Sequence, residues 1–206
     1  MRYADDFVVG FQHQRDAERF LDAAQDRFGR FGLDLHPDKT RLIEFGRYAT
    51  QRRQERGQGR PETFDFLGFT HYCAASRGGR FQLGRKPVAK RMSRTLKRIK
   101  AVLRRRMHQD VKTTAKWLGK VVDGWLNYFA VPTSFRYLYR FVLRLKHLWL
   151  RLLRRRSQRD RSGWARVAKL TATYWPKLDI RHPWPDQRLV VNALQRGGTQ
   201  GRSRMP

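Results

Sequence analysis

Residues 135–156 read Phe-Arg-Tyr-Leu-Tyr-Arg-Phe-Val-Leu-Arg-Leu-Lys-His-Leu-Trp-Leu-Arg-Leu-Leu-Arg-Arg-Arg. Apolar side chains recur at Leu138, Phe141, Val142, Leu145, Leu148, Trp149 and Leu152, which is the spacing of one face of an α-helix. Arg136, Arg140 and Arg144 repeat every four residues opposite that stripe. Such a helix buries one side and holds out a row of guanidinium groups on the other. Working upstream, a second helix is expected over 111–130, with Leu118, Val121, Val122, Trp125, Leu126 and Phe129 inward and Pro132 closing it. A third is expected to open with Pro87 in its first turn and to bury Val88, Met92, Leu96, Ile99, Val102 and Leu103. Lys90, Arg91, Arg94, Lys97, Arg98 and Arg104 occupy its other face. Downstream, a shorter helix is expected between a Ser162 cap and Pro176.

Charge follows the same partition. Residues 1–68 hold 12 basic and 12 acidic side chains, whereas residues 85–156 hold 22 basic and only 2 acidic ones, Asp110 and Asp123. The whole chain of 206 residues carries a formal +29, which repels itself unless a polyanion compensates, so nucleic acid is the expected partner. Arginine outnumbers lysine 35 to 11, which favours bidentate phosphate contacts and stacking on unpaired bases. A lone cysteine, Cys73, excludes a disulfide scaffold and any paired-cysteine zinc module. His108, His147 and His182 lack partners at ligand spacing, so no zinc is expected either. No run of about 18 uncharged apolar residues is present, so no membrane span is expected. The first residues have no signal-peptide pattern, and a cytoplasmic location is expected. A basic amphipathic helix over 135–156 is also compatible with a membrane surface.

The charge-balanced half reads as mixed α and β. Residues 1–11 suggest two short strands around Ala4-Asp5-Asp6, with Phe7, Val8 and Val9 in the second. Ala17, Phe20, Leu21, Ala24, Phe28 and Phe31 suggest a helix over 16–31, with Asp16 as N-cap and Gly32 as stop. A strand is expected over 40–45 and a mobile loop over 47–62, where apolar residues are nearly absent. Residues 64–72 and 79–83 suggest a hairpin around Ser76-Arg77-Gly78-Gly79. The expected fold class is α+β, with domains over 1–84 and 85–190 and a disordered tail over 191–206.

Tyr3-Ala4-Asp5-Asp6 between two strands resembles the catalytic hairpin of reverse transcriptases. That resemblance implies a palm in which Asp5 and Asp6 serve as catalytic and metal residues and hold magnesium. The segment Leu35-His36-Pro37-Asp38-Lys39-Thr40 resembles the following palm motif, whose lysine, here Lys39, is implied to lie near the nucleotide phosphates. Phe66-Leu67-Gly68-Phe69 resembles the primer grip. Gly124-Trp125-Leu126-Asn127-Tyr128-Phe129 resembles the signature of the maturase domain that follows the primer grip in group II intron reverse transcriptases.

The likeness spans about residues 2–190 and implies a partial palm followed by an α-helical thumb or maturase bundle. It implies intron RNA, an RNA template and a DNA primer as partners. The RNA-facing residues expected are Arg91, Arg94, Arg98, Arg104, Arg105, Lys112, Lys116, Lys120, Asn127, Tyr128, Arg136, Tyr137, Tyr139, Arg140 and Arg144. Trp125 fits the inward stripe better than a stacking role. Relatives of this kind carry a further aspartate and fingers upstream of the hairpin, so a fragment, completed by another chain or acting by RNA binding alone, is expected. A retron-like reverse transcriptase and an inactive RNA-binding module stand as alternatives.

Overall fold

The structure, a computed structural model, describes residues 2–3, 6–156 and 163–184. Within these, two strands, β1 (Arg2–Tyr3) and β2 (Asp6–Phe7), pair antiparallel with Arg2 opposite Phe7 and Tyr3 opposite Asp6. The second strand stops at Phe7 and does not take in Val8 and Val9. Helix α1 (Gln14–Gly29) follows, then α2 (Ala49–Glu55), the strands β3 (Phe64–Phe66), β4 (Phe69–Ala75) and β5 (Phe81–Pro87), and four long helices. These are α3 (Ala89–Arg105), α4 (Val111–Phe129), α5 (Phe135–Arg154) and α6 (Trp164–Tyr174). The fold class is α+β.

The chain divides into two compact units, and the division cuts across the sheet. One contains residues up to Phe66 together with Tyr72–Leu83; the other contains Leu67–His71 and the chain from Gly84 onward.

In the first unit several sequence expectations need correcting. Asp16 is not the N-cap of α1: His13 takes that place without a side-chain hydrogen bond, and Asp16 sits in the first turn, where its charge favours the helix dipole. Gly32, with φ of 66°, lies just beyond the helix end, and the Leu33 N–H returns to the Phe28 carbonyl at 3.0 Å. Residues 40–45 form no strand. They are held by side chains instead: Phe45 meets Phe64 edge-on at 5.2 Å, Arg41 donates to the Thr63 carbonyl, and the Gly46 N–H points at Cys73 Sγ. The expected loop over 47–62 contains helix α2, supported by an i, i+4 bond from Gln51 to Glu55 and an ion pair of Arg56 with Glu44. α2 has no apolar periodicity, so its sequence carries no helical stripe.

The stretch expected as one strand over 64–72 is two, β3 and β4, because the chain reverses at Leu67-Gly68. Their φ values are 49° and 76°, both positive as a type I′ hairpin turn requires. The strands run in the order β3-β4-β5, antiparallel throughout. The second hairpin closes over 76–80, with Gly79 at φ of 73° and Ser76 Oγ accepting from the Arg80 N–H.

The second unit contains the core. Leu118, Val122 and Leu126 of α4, Leu138, Phe141, Leu145 and Trp149 of α5, Ile99 and Leu103 of α3, and Val167 of α6 are all buried together. Pro87 ends β5 and does not enter the helix; Val88 is the N-cap of α3. Asp110 caps α4, its carboxylate accepting from the Thr113 N–H at 2.9 Å, and that bond holds its carboxyl below the usual carboxylate range. Between α4 and α5, Ser134 is wholly buried and its hydroxyl donates to the Phe129 and Val131 carbonyls. Gly119 lets α4 approach α6: a Cβ there would strike the Tyr174 carbonyl. The Ser162 cap and the tail over 191–206 lie outside the described residues. Gly163 precedes the first residue of α6. Among the described residues no helix is long and apolar enough to cross a membrane.

Candidate nucleic-acid interface

In the first unit, Asp6 is exposed in β2 opposite Tyr3, and Asp5 lies outside the described residues. Lys39 is exposed in the turn after α1, its N–H bonded to the His36 carbonyl at 3.1 Å. Among the described residues no group of three histidine, cysteine or carboxylate side chains stands ready to hold a metal.

The segment over 66–69 is built around its turn. Phe66 is buried. Leu67 has the left-handed backbone that bulky side chains avoid, and such strain persists only where neighbours over-determine it. Three contacts within the second unit do so. Tyr128 Oη donates to the Leu67 carbonyl at 2.7 Å, the Val88 N–H donates to the Gly68 carbonyl at 3.1 Å, and the Arg91 side chain lies where a Cβ on Gly68 would sit. Phe69 stacks on Tyr128 with rings 5.6 Å apart and 13° from parallel, and meets Phe129 edge-on. The two sequence motifs, 66–69 and 124–129, are thus clasped together through Tyr128. The Arg91 guanidinium, 5.9 Å from the Tyr128 ring centre, completes the clasp. Beside it Arg91, Thr95, Trp125, Tyr128 and Phe129 line an open cleft of about 290 Å³.

Trp125 is a core residue. It is 7% exposed and stacks on Phe141 at 4.2 Å and 12°. Asn127 is exposed but engaged: its Oδ1 accepts from Arg181, and its carbonyl meets His182 Nε2 at 2.7 Å. Arg181 also pairs with Asp123 at 2.8 Å, and the N–H groups of Arg181 and His182 both reach the Ala130 carbonyl. The end of α4 is therefore satisfied by a segment more than fifty residues away. No local pattern announces Arg181 or His182.

The remaining expected residues form rows. Arg91, Arg94, Arg98, Arg104 and Arg105 are exposed on α3; Lys112, Lys116 and Lys120 on α4; Arg136, Arg140 and Arg144 on α5. Neither α3 nor α5 contains an aspartate or glutamate, so no intrahelical ion pair neutralises those rows. Lys146, also on α5, is half-buried, and burial pushes its ammonium pKa down. Tyr139 is exposed, whereas Tyr137 is half-buried with the Lys86 ammonium 5.9 Å from its ring centre. Exposed cations on rigid helices attract phosphate without ordering a flexible segment first.

No protein-family model matches the chain, and no curated protein matches it.

Proposed function

We propose that the chain binds RNA through its helical unit, as the thumb and maturase part of a group II intron reverse transcriptase. The observation that carries this reading is the pairing of one buried core with exposed arginine and lysine rows on α3, α4 and α5, of which α3 and α5 contain no acidic residue. Each phosphate met by such a row releases counterions, so binding draws its free energy from salt-sensitive contacts. The intron assignment draws on the resemblance of 3–6, 35–40, 66–69 and 124–129 to motifs of that family. It gains support from the clasp of Tyr128 on Leu67, which joins residues 67–69 of one motif to the other within one unit.

The test is a salt-titrated binding assay on the full chain with intron RNA and an unrelated RNA of equal length. Affinity is expected to fall with salt at a log–log slope of about −0.7 to −0.9 per phosphate contact. Replacing Arg136, Arg140 and Arg144 together by glutamine is expected to weaken binding and to flatten that slope by about two to three contacts' worth. Salt-independent binding, or none, sinks the RNA reading. Equal affinity for both RNAs keeps RNA binding and removes the intron assignment. Primer extension with magnesium on the same sample addresses Asp5 and Asp6. Extension lost in Asp5→Ala assigns polymerase chemistry to the hairpin, and binding without extension leaves RNA gripping as the activity.

A further inference from the structure

We propose that Trp164 is a stacking platform for an unpaired RNA base, set beside the middle of a basic track along α5. The proposal rests on the RNA-binding reading above and adds the strand state that is recognised and the residue that recognises it.

The track is longer than its first three arginines. Successive helical residues are about 100° apart and rise about 1.5 Å. Arg136, Arg140, Arg144, His147, Arg151 and Arg154 therefore fall in a sector of about 80° and span about 27 Å. All six are exposed. With no acidic residue on α5, the sector presents a single sign of charge.

Trp164, the first residue of α6, borders this track at its centre. Its ring lies 4.8 Å from the His147 imidazole, with planes 32° apart. It is 40% exposed, whereas Trp125, Trp149 and Trp175 are 7%, 1% and 8% exposed in the core. Trp164 thus keeps open ring surface that those three bury. The tilted imidazole covers Trp164 only in part, and the ring keeps open surface next to the track.

Cations alone do not distinguish a duplex from a single strand. An exposed aromatic face does, because a duplex keeps its bases stacked on each other while a single strand can turn one outward. Arginine tracking with interposed aromatic stacking is how sequence-tolerant single-strand sites are built. Tyr128 does not compete for this role, since its hydroxyl is bound to Leu67 and its ring is stacked on Phe69.

The experiment uses the full chain, a short unstructured oligoribonucleotide carrying a fluorescent adenine analogue, and a duplex RNA of the same length. Trp164→Ala is expected to weaken single-strand binding about five- to 150-fold, the range of one lost base–aromatic stack. It should leave duplex affinity and the salt slope unchanged, because no phosphate contact is removed. Trp164→Phe should restore most of the single-strand affinity and the quenching of the analogue. Arg140→Ala should behave oppositely, flattening the salt slope by about 0.7 on the single strand and about 0.9 on the duplex. Single-strand binding unchanged in Trp164→Ala, with salt-dependent binding intact, overturns the platform and leaves the RNA reading standing. Equal loss on both RNAs, not rescued by phenylalanine, shows a packing residue and overturns it as well. Wild-type chain that binds neither RNA in a salt-dependent way removes the reading beneath it.

Discussion

Phe20, Leu21, Ala24 and Phe28 in α1 follow the same periodicity as Leu138, Phe141, Leu145 and Trp149 in α5. The outcomes differ. In α1 only Ala17 is buried and Phe20 is 41% exposed, whereas Leu138, Phe141 and Leu145 are fully buried. The reason is what each helix packs against. Residues from α3, α4 and α6 close over α5 in one core. The apolar edge of α1 meets isolated rings, Phe28 against Phe7 at 6.4 Å and Phe20 against Phe11 at 5.2 Å. Periodicity specifies a helix, but burial needs a second layer that the helix itself does not provide.

The largest expected contrast is a pair of truncations. Phe141→Ala should cost the helical unit about 3–5 kcal/mol, the usual cost of emptying a fully buried aromatic site. Phe20→Ala should stay within about 0.5 kcal/mol, as surface changes do. Urea unfolding followed by far-ultraviolet circular dichroism reads α1 as well as the helical unit, and indole fluorescence, with all six tryptophans between residues 117 and 184, reports the helical unit separately. A similar loss in both variants would break the contrast.

Next come two glycines on one helix. Gly119→Ala must push α4 off the Tyr174 carbonyl and should destabilise by about 1–3 kcal/mol. Gly124 has open space around its Cα, so Gly124→Ala should gain up to about 1 kcal/mol from helix propensity. A thermal melt that moves both the same way refutes the close approach of α4 and α6.

A smaller effect sharpens the picture of the clasp. Tyr128→Phe removes the hydroxyl bond to Leu67 and keeps the ring stack, at an expected loss of about 0.5–1.5 kcal/mol. Hydrogen exchange of the amides around Leu67-Gly68 should quicken, while the middle of α5 stays protected.

The smallest concerns Asp110. Its carboxyl pKa is depressed in the folded chain, so the cap stabilises above the unfolded carboxylate pKa and is lost as pH falls through the depressed value. Asp110→Ala should therefore lower the melting temperature at neutral pH, and the difference from wild type should vanish in acid. A difference that persists in acid would mean that the carboxylate is not the cap.

Periodicity in the sequence was sufficient for α3, α4 and α5 to within a few residues, because long helices with sustained apolar stripes need no knowledge of their neighbours. It was sufficient for the exposure of Arg136, Arg140 and Arg144 for the same reason, and for the inward place of Trp125. It failed at 40–45, where apolar residues are held by side chains and not by a ladder, and at 49–55, where a polar helix has no stripe to find. Tertiary structure decided what no local pattern contains. It divided residues 64–72 at a turn where Leu67 takes a positive φ, a conformation held by Tyr128, Val88 and Arg91 from elsewhere in the chain. It bound Asn127 to Arg181 and set Trp164 beside His147. Local spacing carries the information for helices, whose hydrogen bonds are local. Contacts between distant residues exist only once those helices have packed.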